Sequence, residues 1–198
     1  MRLATCACAA LLACGVAGGC SNEASDAPYV GPDDGTNGDS TAGDTGFQPP
    51  TGNVVFDFRA GGHANEPAVR AYVGWQRAAT ESIRNRQLTD EVRDGAIAPP
   101  VRTVERSIAT VSDADYTVPR TMVGRLASVR ATPRAAILEV CLWSPSFDYR
   151  QRESGRTATD GAAHWMGAEV RMTRNSAHDG AWKVAGLTDR PDCEGNKP

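Results

Sequence analysis

Apolar residues recur at intervals of three and four along Ala68, Tyr72, Trp75, Ala79 and Ile83. That spacing places them on one side of a helix. Asn65-Glu66-Pro67, a capping residue followed by an acid and a proline, marks where it starts. Arg70, Arg77 and Arg84 fall on another face, and Glu66 with Arg70, like Arg77 with Glu81, is spaced to pair over one turn. This face reads as solvated and salt-bridged; the sharper alternative is a basic stripe resting on anionic lipid. Asp94-Gly95 and Ala98-Pro99-Pro100 interrupt the pattern. A second helix is predicted from Val101 to about Ser112, with Val104, Ile108 and Val111 inward, and a short helix over Leu88 to Arg93 between the two.

Beyond that point the pattern changes to strands. Met122 to Arg130 is one, Pro133 marks a turn, and Ala135 to Trp143 is the most apolar run outside the N-terminus. Phe147 to Arg152 reads as a shorter strand closed by Ser154-Gly155. His164 to Arg174 alternates in part, Asp179-Gly180 is a hairpin signal, and Ala181 to Leu187 returns. The tail from Asp189 to Cys193 would reach back towards Cys141. Helices that precede a hairpin-linked sheet indicate an α+β domain, with N-terminal helices packed on a curved antiparallel sheet. Residues 53–198 are enough for one such domain with one core.

Residues 1–19 carry one basic residue, Arg2, and then a small apolar run, short for a membrane span and suited to a signal peptide. The run ends in Ala17-Gly18-Gly19-Cys20, which resembles a bacterial lipobox and makes Cys20 the expected lipidation site. Cys14, after Leu11-Leu12-Ala13, is the alternative, and cleavage after Ala17 would instead give a freely secreted protein. Acyl chains on Cys20 would hold the protein on the outer face of the bacterial cell membrane, since each buried methylene contributes about 0.8 kcal/mol. Residues 20–52 then form a flexible acidic linker, rich in Gly, Asp, Ser, Thr and Pro and too polar to fold. It holds Glu23, Asp26, Asp33, Asp34, Asp39 and Asp44 and no Lys or Arg. These acids lack the regular spacing of a calcium loop, so no metal is expected.

The formal net charge of −3 is therefore uneven. The linker is strongly acidic and residues 53–198 are close to neutral, which leaves no electrostatic footprint for nucleic acid. Cys6, Cys8 and Cys14 would leave with the signal, so Cys141 and Cys193 are the two thiols of the exported domain. An oxidising compartment favours their pairing, and a loop of this size gives about 4 kcal/mol in chain-entropy arithmetic. The alternative is a buried free Cys141.

The order of a long helix, short helices and a curved sheet resembles the cone-shaped fold of nuclear transport factor 2 and ketosteroid isomerase. More narrowly, residues 66–193 resemble a group of envelope lipoproteins from actinobacteria. The features that carry this are the lipobox, the polar tether, the Tyr72–Trp75 helix, the strand ending Ala-Ile-Leu-Glu-Val-Cys141, the Ser154-Gly155-Arg156 turn, and Asp179-Gly180-Ala181-Trp182-Lys183-Val184 with Cys193 after it. Trp143 stands where that group commonly has an Asp. The resemblance implies a fold and an address; it brings no activity with it.

Cone-fold enzymes use pocket acids or His–Asp pairs to move protons beside a carbonyl, which needs a shifted pKa in an apolar pocket. Asp148, Tyr149 and His164 are the candidates, with Tyr72 and Trp75 as cavity walls; the plainer alternative is that the two helix aromatics are core and that His164 is an edge or packed residue of its strand. His63 and His178 fall in loops and read as solvated. G-x-S-x-G, Walker, H-E-x-x-H and C-x-x-C motifs are absent, so no catalytic residue and no cofactor is assigned. The expected function is a membrane-anchored, non-catalytic envelope protein that binds a partner protein or helps an assembly. The alternative is a carrier of a small apolar molecule or lipid in the cone, and the third reading is an isomerase or dehydratase. The oligomeric state stays open; a homodimer through the outer sheet face rests on analogy with cone-fold proteins alone.

Overall fold

A computed structural model describes residues 52–159, 161–174 and 180–195. The expectations for the signal peptide, for Cys20, for nearly all of the acidic linker and for His178 and Asp179 lie outside the described residues.

The elements run β1 (Val55–Arg59), α1 (Pro67–Arg84), α2 (Asp90–Gly95), α3 (Ala98–Asp113), β2 (Tyr116–Thr117), β3 (Thr121–Ala131), β4 (Ala135–Trp143), β5 (Arg150–Gln151), β6 (Trp165–Arg174) and β7 (Trp182–Cys193). The main sheet has the order β1-β3-β4-β6-β7, and β2 pairs with β5 beside it. The β3–β4, β4–β6 and β6–β7 pairs are antiparallel, whereas β1 joins β3 in parallel. This is the expected α+β class: three helices on one face of a curved, unclosed, mostly antiparallel sheet.

Period-two alternation sets the two faces of the sheet. On β4, Ala136, Leu138, Val140 and Leu142 join the buried cluster that the helices complete, while Cys141 and Trp143 join a second cluster with Trp165. Opposite them on β6, Met172, Val170 and Ala168 are the direct partners of Ala136, Leu138 and Val140. The helices supply Tyr72, Trp75, Ala79 and Ile83 from α1 and Val104 and Val111 from α3, each at most 3% exposed. The stripe read from the spacing is therefore the buried one; Ile108 is only partly buried.

Several local expectations fail for identifiable reasons. β1 was not anticipated, although Phe56 and Phe58 pack against the core and alternate with exposed Val55, Asp57 and Arg59. The cap of α1 is Glu66, in extended conformation and without a side-chain bond to the helix, rather than Asn65. α3 begins at Ala98 because a proline fits the first helical turn, where its missing N–H leaves no bond unmade. The strand expected over Phe147 to Arg152 shrinks to Arg150–Gln151, since a 3-10 turn at Ser144–Ser146 occupies the chain before it. β7 extends through the expected tail as far as Cys193.

Both long helices end in a left-handed residue other than glycine. Arg86 has φ 55° and Asp115 φ 48°. After α1, the N–H of Gln87 donates to Ser82 O at 3.0 Å and that of Arg86 to Ile83 O at 3.2 Å, the paired bonds of a Schellman end.

Candidate functional site

Tyr72, Trp75 and Tyr149 lie in one buried cluster. Tyr72 meets the rings of Phe56 and Phe58 edge-on, at 6.4 and 5.7 Å between centroids. Burial pushes its phenol well above the ordinary value, so it stays a neutral donor. Its hydroxyl, the indole N–H of Trp75 and the side-chain nitrogen of Gln76 are buried without a hydrogen-bond partner. Tyr149 faces Tyr116 at 6.4 Å. Asp148 is half-buried and accepts a hydrogen bond from the hydroxyl of Thr159. His164 is exposed; its Nδ1 lies 2.7 Å from Ala162 O and its Nε2 3.6 Å from Asp192. His164, considered as a residue that could face the cone, thus stands in solvent, because it precedes the first residue of β6 and is held by the loop backbone rather than by the sheet. Among the described residues, no group of three His, Cys, Asp or Glu side chains could hold a metal ion.

The opposite face of the sheet carries the disulfide. Cys141 and Cys193 are bonded, with their Cα atoms 6.0 Å apart. They belong to β4 and β7, which β6 separates. Two inter-strand spacings of about 4.8 Å would keep them too far apart, so the end of β7 has to lean across β6. Gly167, the direct partner of Cys141, is where it crosses. A Cβ there would sit 2.0 Å from Pro191 O. The β6–β7 register shifts at the same place, between Trp165 and Gly167.

Beside this crossing lies an open groove of about 600 Å³, lined by residues that include Arg125, Glu139, Gly167, Arg190 and Asp192. Its charges are largely committed. Arg125 lies over the ring of Trp165 at 4.7 Å and donates to Glu194 O. Arg190 and Arg171 both donate to Glu169, which is 5% exposed. Hydrogen bonds from Arg171 and then Arg190 hold the Glu169 carboxyl below its ordinary range. Ser128 and Arg130 engage Glu139.

A second, smaller groove of about 340 Å³ opens between β1 and α1. Phe58, Ala60, Val69, Val73 and Gly74 form its apolar part, and Arg70 and Arg77 stand beside them. The two expected helix-face pairs are not made. Glu66 instead meets His63 at 2.5 Å, and Glu81 accepts the N–H of Val54 at 3.2 Å. Arg84, the third member of the expected stripe, is 8% exposed and donates to Val118 O. Neither groove was foreseen. Gly167 and Gly74, which are among their lining residues, are the signals that could have pointed to them, since a glycine inside a strand or helix weakens it unless a close approach is needed.

Fold and grooves together define a disulfide-bonded α+β domain whose helix side is lined by buried apolar side chains and whose described surface includes these two recesses. No family model matches the chain, nor does any curated protein. Among solved structures it is similar to the intermembrane space region of the chloroplast protein ARC6, with a TM-score of 0.47 and 11% identity over 62% of this chain and 92% of that one. No functional reading follows from that likeness. No helix among the described residues is long and apolar enough to cross a membrane.

Proposed function

We propose that this chain is a lipid-anchored, extracytoplasmic protein whose folded domain works by binding another polypeptide, without catalysis. The observation that carries this is the filled helix-side face of the sheet. Tyr72, Trp75, Leu138, Leu142 and Met172 meet there, each at most 3% exposed. The acid and base considered for proton transfer, Asp148 and His164, are respectively engaged by Thr159 and exposed to solvent. The Cys141–Cys193 bond supports an oxidising compartment, and Cys20 after Ala17-Gly18-Gly19 supports the anchor. Native mass spectrometry of the mature protein from its own envelope tests both parts. Added acyl mass on Cys20 and no other adduct is expected. A mature N-terminus without acyl mass would remove the anchor.

One observation favours a second reading, a carrier of a small molecule. Tyr72, Trp75 and Gln76 leave three polar atoms buried without partners on one helix, and a bound molecule could satisfy them. An adduct of a few hundred daltons that survives on the folded chain would decide for this reading.

A further inference from the structure

We propose that the groove between β1 and α1 is the docking site of the chain's own acidic segment, residues 21–51. The inference goes beyond the reading above and holds whether or not Cys20 is acylated.

The first argument is charge. Arg70 and Arg77 flank the groove, and the carboxylates placed one turn away to neutralise them are used elsewhere. Glu66 goes to His63 and Glu81 to the N–H of Val54. Two guanidinium groups beside an apolar floor call for an occupant that carries carboxylates. Residues 21–51 carry six and no cation.

The second argument is Gly74. It sits in the middle of an 18-residue helix, where glycine is about 1 kcal/mol less favourable than alanine. A Cβ at this position would meet no atom within 4 Å. Nothing in the described fold therefore requires a glycine there, whereas a chain lying in the groove would come against the bare helix backbone.

The third argument is the edge of β1. Val55 N–H donates to Arg120 O, on the β3 side, at 3.0 Å. Successive backbone groups of a strand point to opposite edges, so those of Phe56 and Phe58 point away from β3, towards the groove. Glu81 already caps Val54 on that edge. An extended chain can use such an edge; a lipid surface cannot.

Reach and concentration agree. The described chain begins at Gly52, next to β1. Asp44 lies eight residues earlier and spans up to about 28 Å, beyond the roughly 17 Å length of a five-residue strand. A tethered segment acts at an effective concentration in the millimolar range, so weak contacts suffice. Anionic lipid is the poorer occupant: two arginines contribute only about 1 kcal/mol each near such a surface, and a recess does not present them on a plane.

The test uses chain 21–198 with its disulfide formed and a nitroxide on Ser40→Cys. Docking predicts strong broadening of the Val69 and Val73 methyl signals relative to Ile137 on the other sheet face. The broadening should fall several-fold in R70S/R77S and in about 0.5 M salt, where charges are screened within a few ångströms. It should also fall in Gly74→Leu, which fills the groove while favouring the helix. Equal broadening at Val73 and Ile137, or broadening indifferent to all three changes, overturns the proposal. Broadening that appears only between a labelled chain and a separate isotope-labelled chain overturns it in favour of a second copy. Val73 perturbation that needs phosphatidylglycerol vesicles overturns it in favour of lipid.

Discussion

Arg86 and Asp115, the two described residues other than glycine with left-handed backbone, are also each other's partners, with Nη2 and Oδ1 2.8 Å apart. Each follows the end of a long helix, so one ion pair joins the C-terminal ends of α1 and α3. Arg152 brings in the chain after β5: its Nε lies 3.3 Å from the Asp115 carboxylate and its backbone N–H donates to Asp115 O at 3.1 Å. A glycine at either position would suit the backbone and lose the clasp. Arg86→Gly and Arg86→Ala both delete the guanidinium, but only the alanine pays the left-handed penalty. The alanine variant should be less stable than the glycine variant by about 1 kcal/mol, measured by urea unfolding.

Acid should loosen the fold through two carboxylates. The hydrogen bond from Arg86, with Arg152 adding to it, holds Asp115 below the ordinary range, and Arg171 and Arg190 do the same for Glu169. Both groups bind their protons more weakly folded than unfolded. Their contribution is complete above the unfolded value near 4 and is lost as pH falls through the folded values. Urea midpoints should drop as pH is lowered from about 5 to 3, and Asp115→Asn with Glu169→Gln should flatten that slope. An unchanged slope in the double variant would count against these two groups as its source.

Gly167 should be the residue that the disulfide depends on. In Gly167→Val the side chain would occupy the place of Pro191 O, so β7 could not cross β6 to Cys141. Two free thiols should appear under denaturing conditions, with a stability loss near that of Cys141→Ser with Cys193→Ser, about 2–4 kcal/mol. A fully oxidised Gly167→Val protein of normal stability would show that β7 has another route.

Tyr72→Phe separates the two readings of the core. A buried hydroxyl without a partner is unfavourable, so its removal should be neutral or stabilise by about 1 kcal/mol. A loss of stability in the protein from its own envelope, absent from protein refolded alone, would mean that the hydroxyl holds a bound molecule.

What the sequence disclosed, and what it hid, divides along local and tertiary lines. The α1 stripe and the Ala135–Trp143 strand were legible because burial repeats with the period of the element. The strand Val55–Arg59 had the same kind of signal in Phe56 and Phe58, but it is five residues long, follows a polar segment and is held by a parallel partner more than sixty residues away. Ion pairs were the poorest guide. Glu66 and Glu81 were spaced for Arg70 and Arg77, yet a histidine in the preceding turn and a strand N–H claimed them. Such choices depend on what the fold brings close, and helical spacing cannot rank them. The candidate cavity residues divide in the same way: Tyr72 and Trp75 sit on the buried stripe that the period marks, while the direction of His164 depends on a loop with no period at all.

The bridge between β4 and β7 also decides how the molecule would yield to force. A pull on the two ends of the described chain would draw out β1 and then β3, but between residues 141 and 193 the load would run through the sulfur atoms. The 52-residue span between them, roughly 170 Å of extended chain, cannot lengthen while the bond stands. β6 and β7 would be carried as a slack loop, and the domain would part from its N-terminal side first.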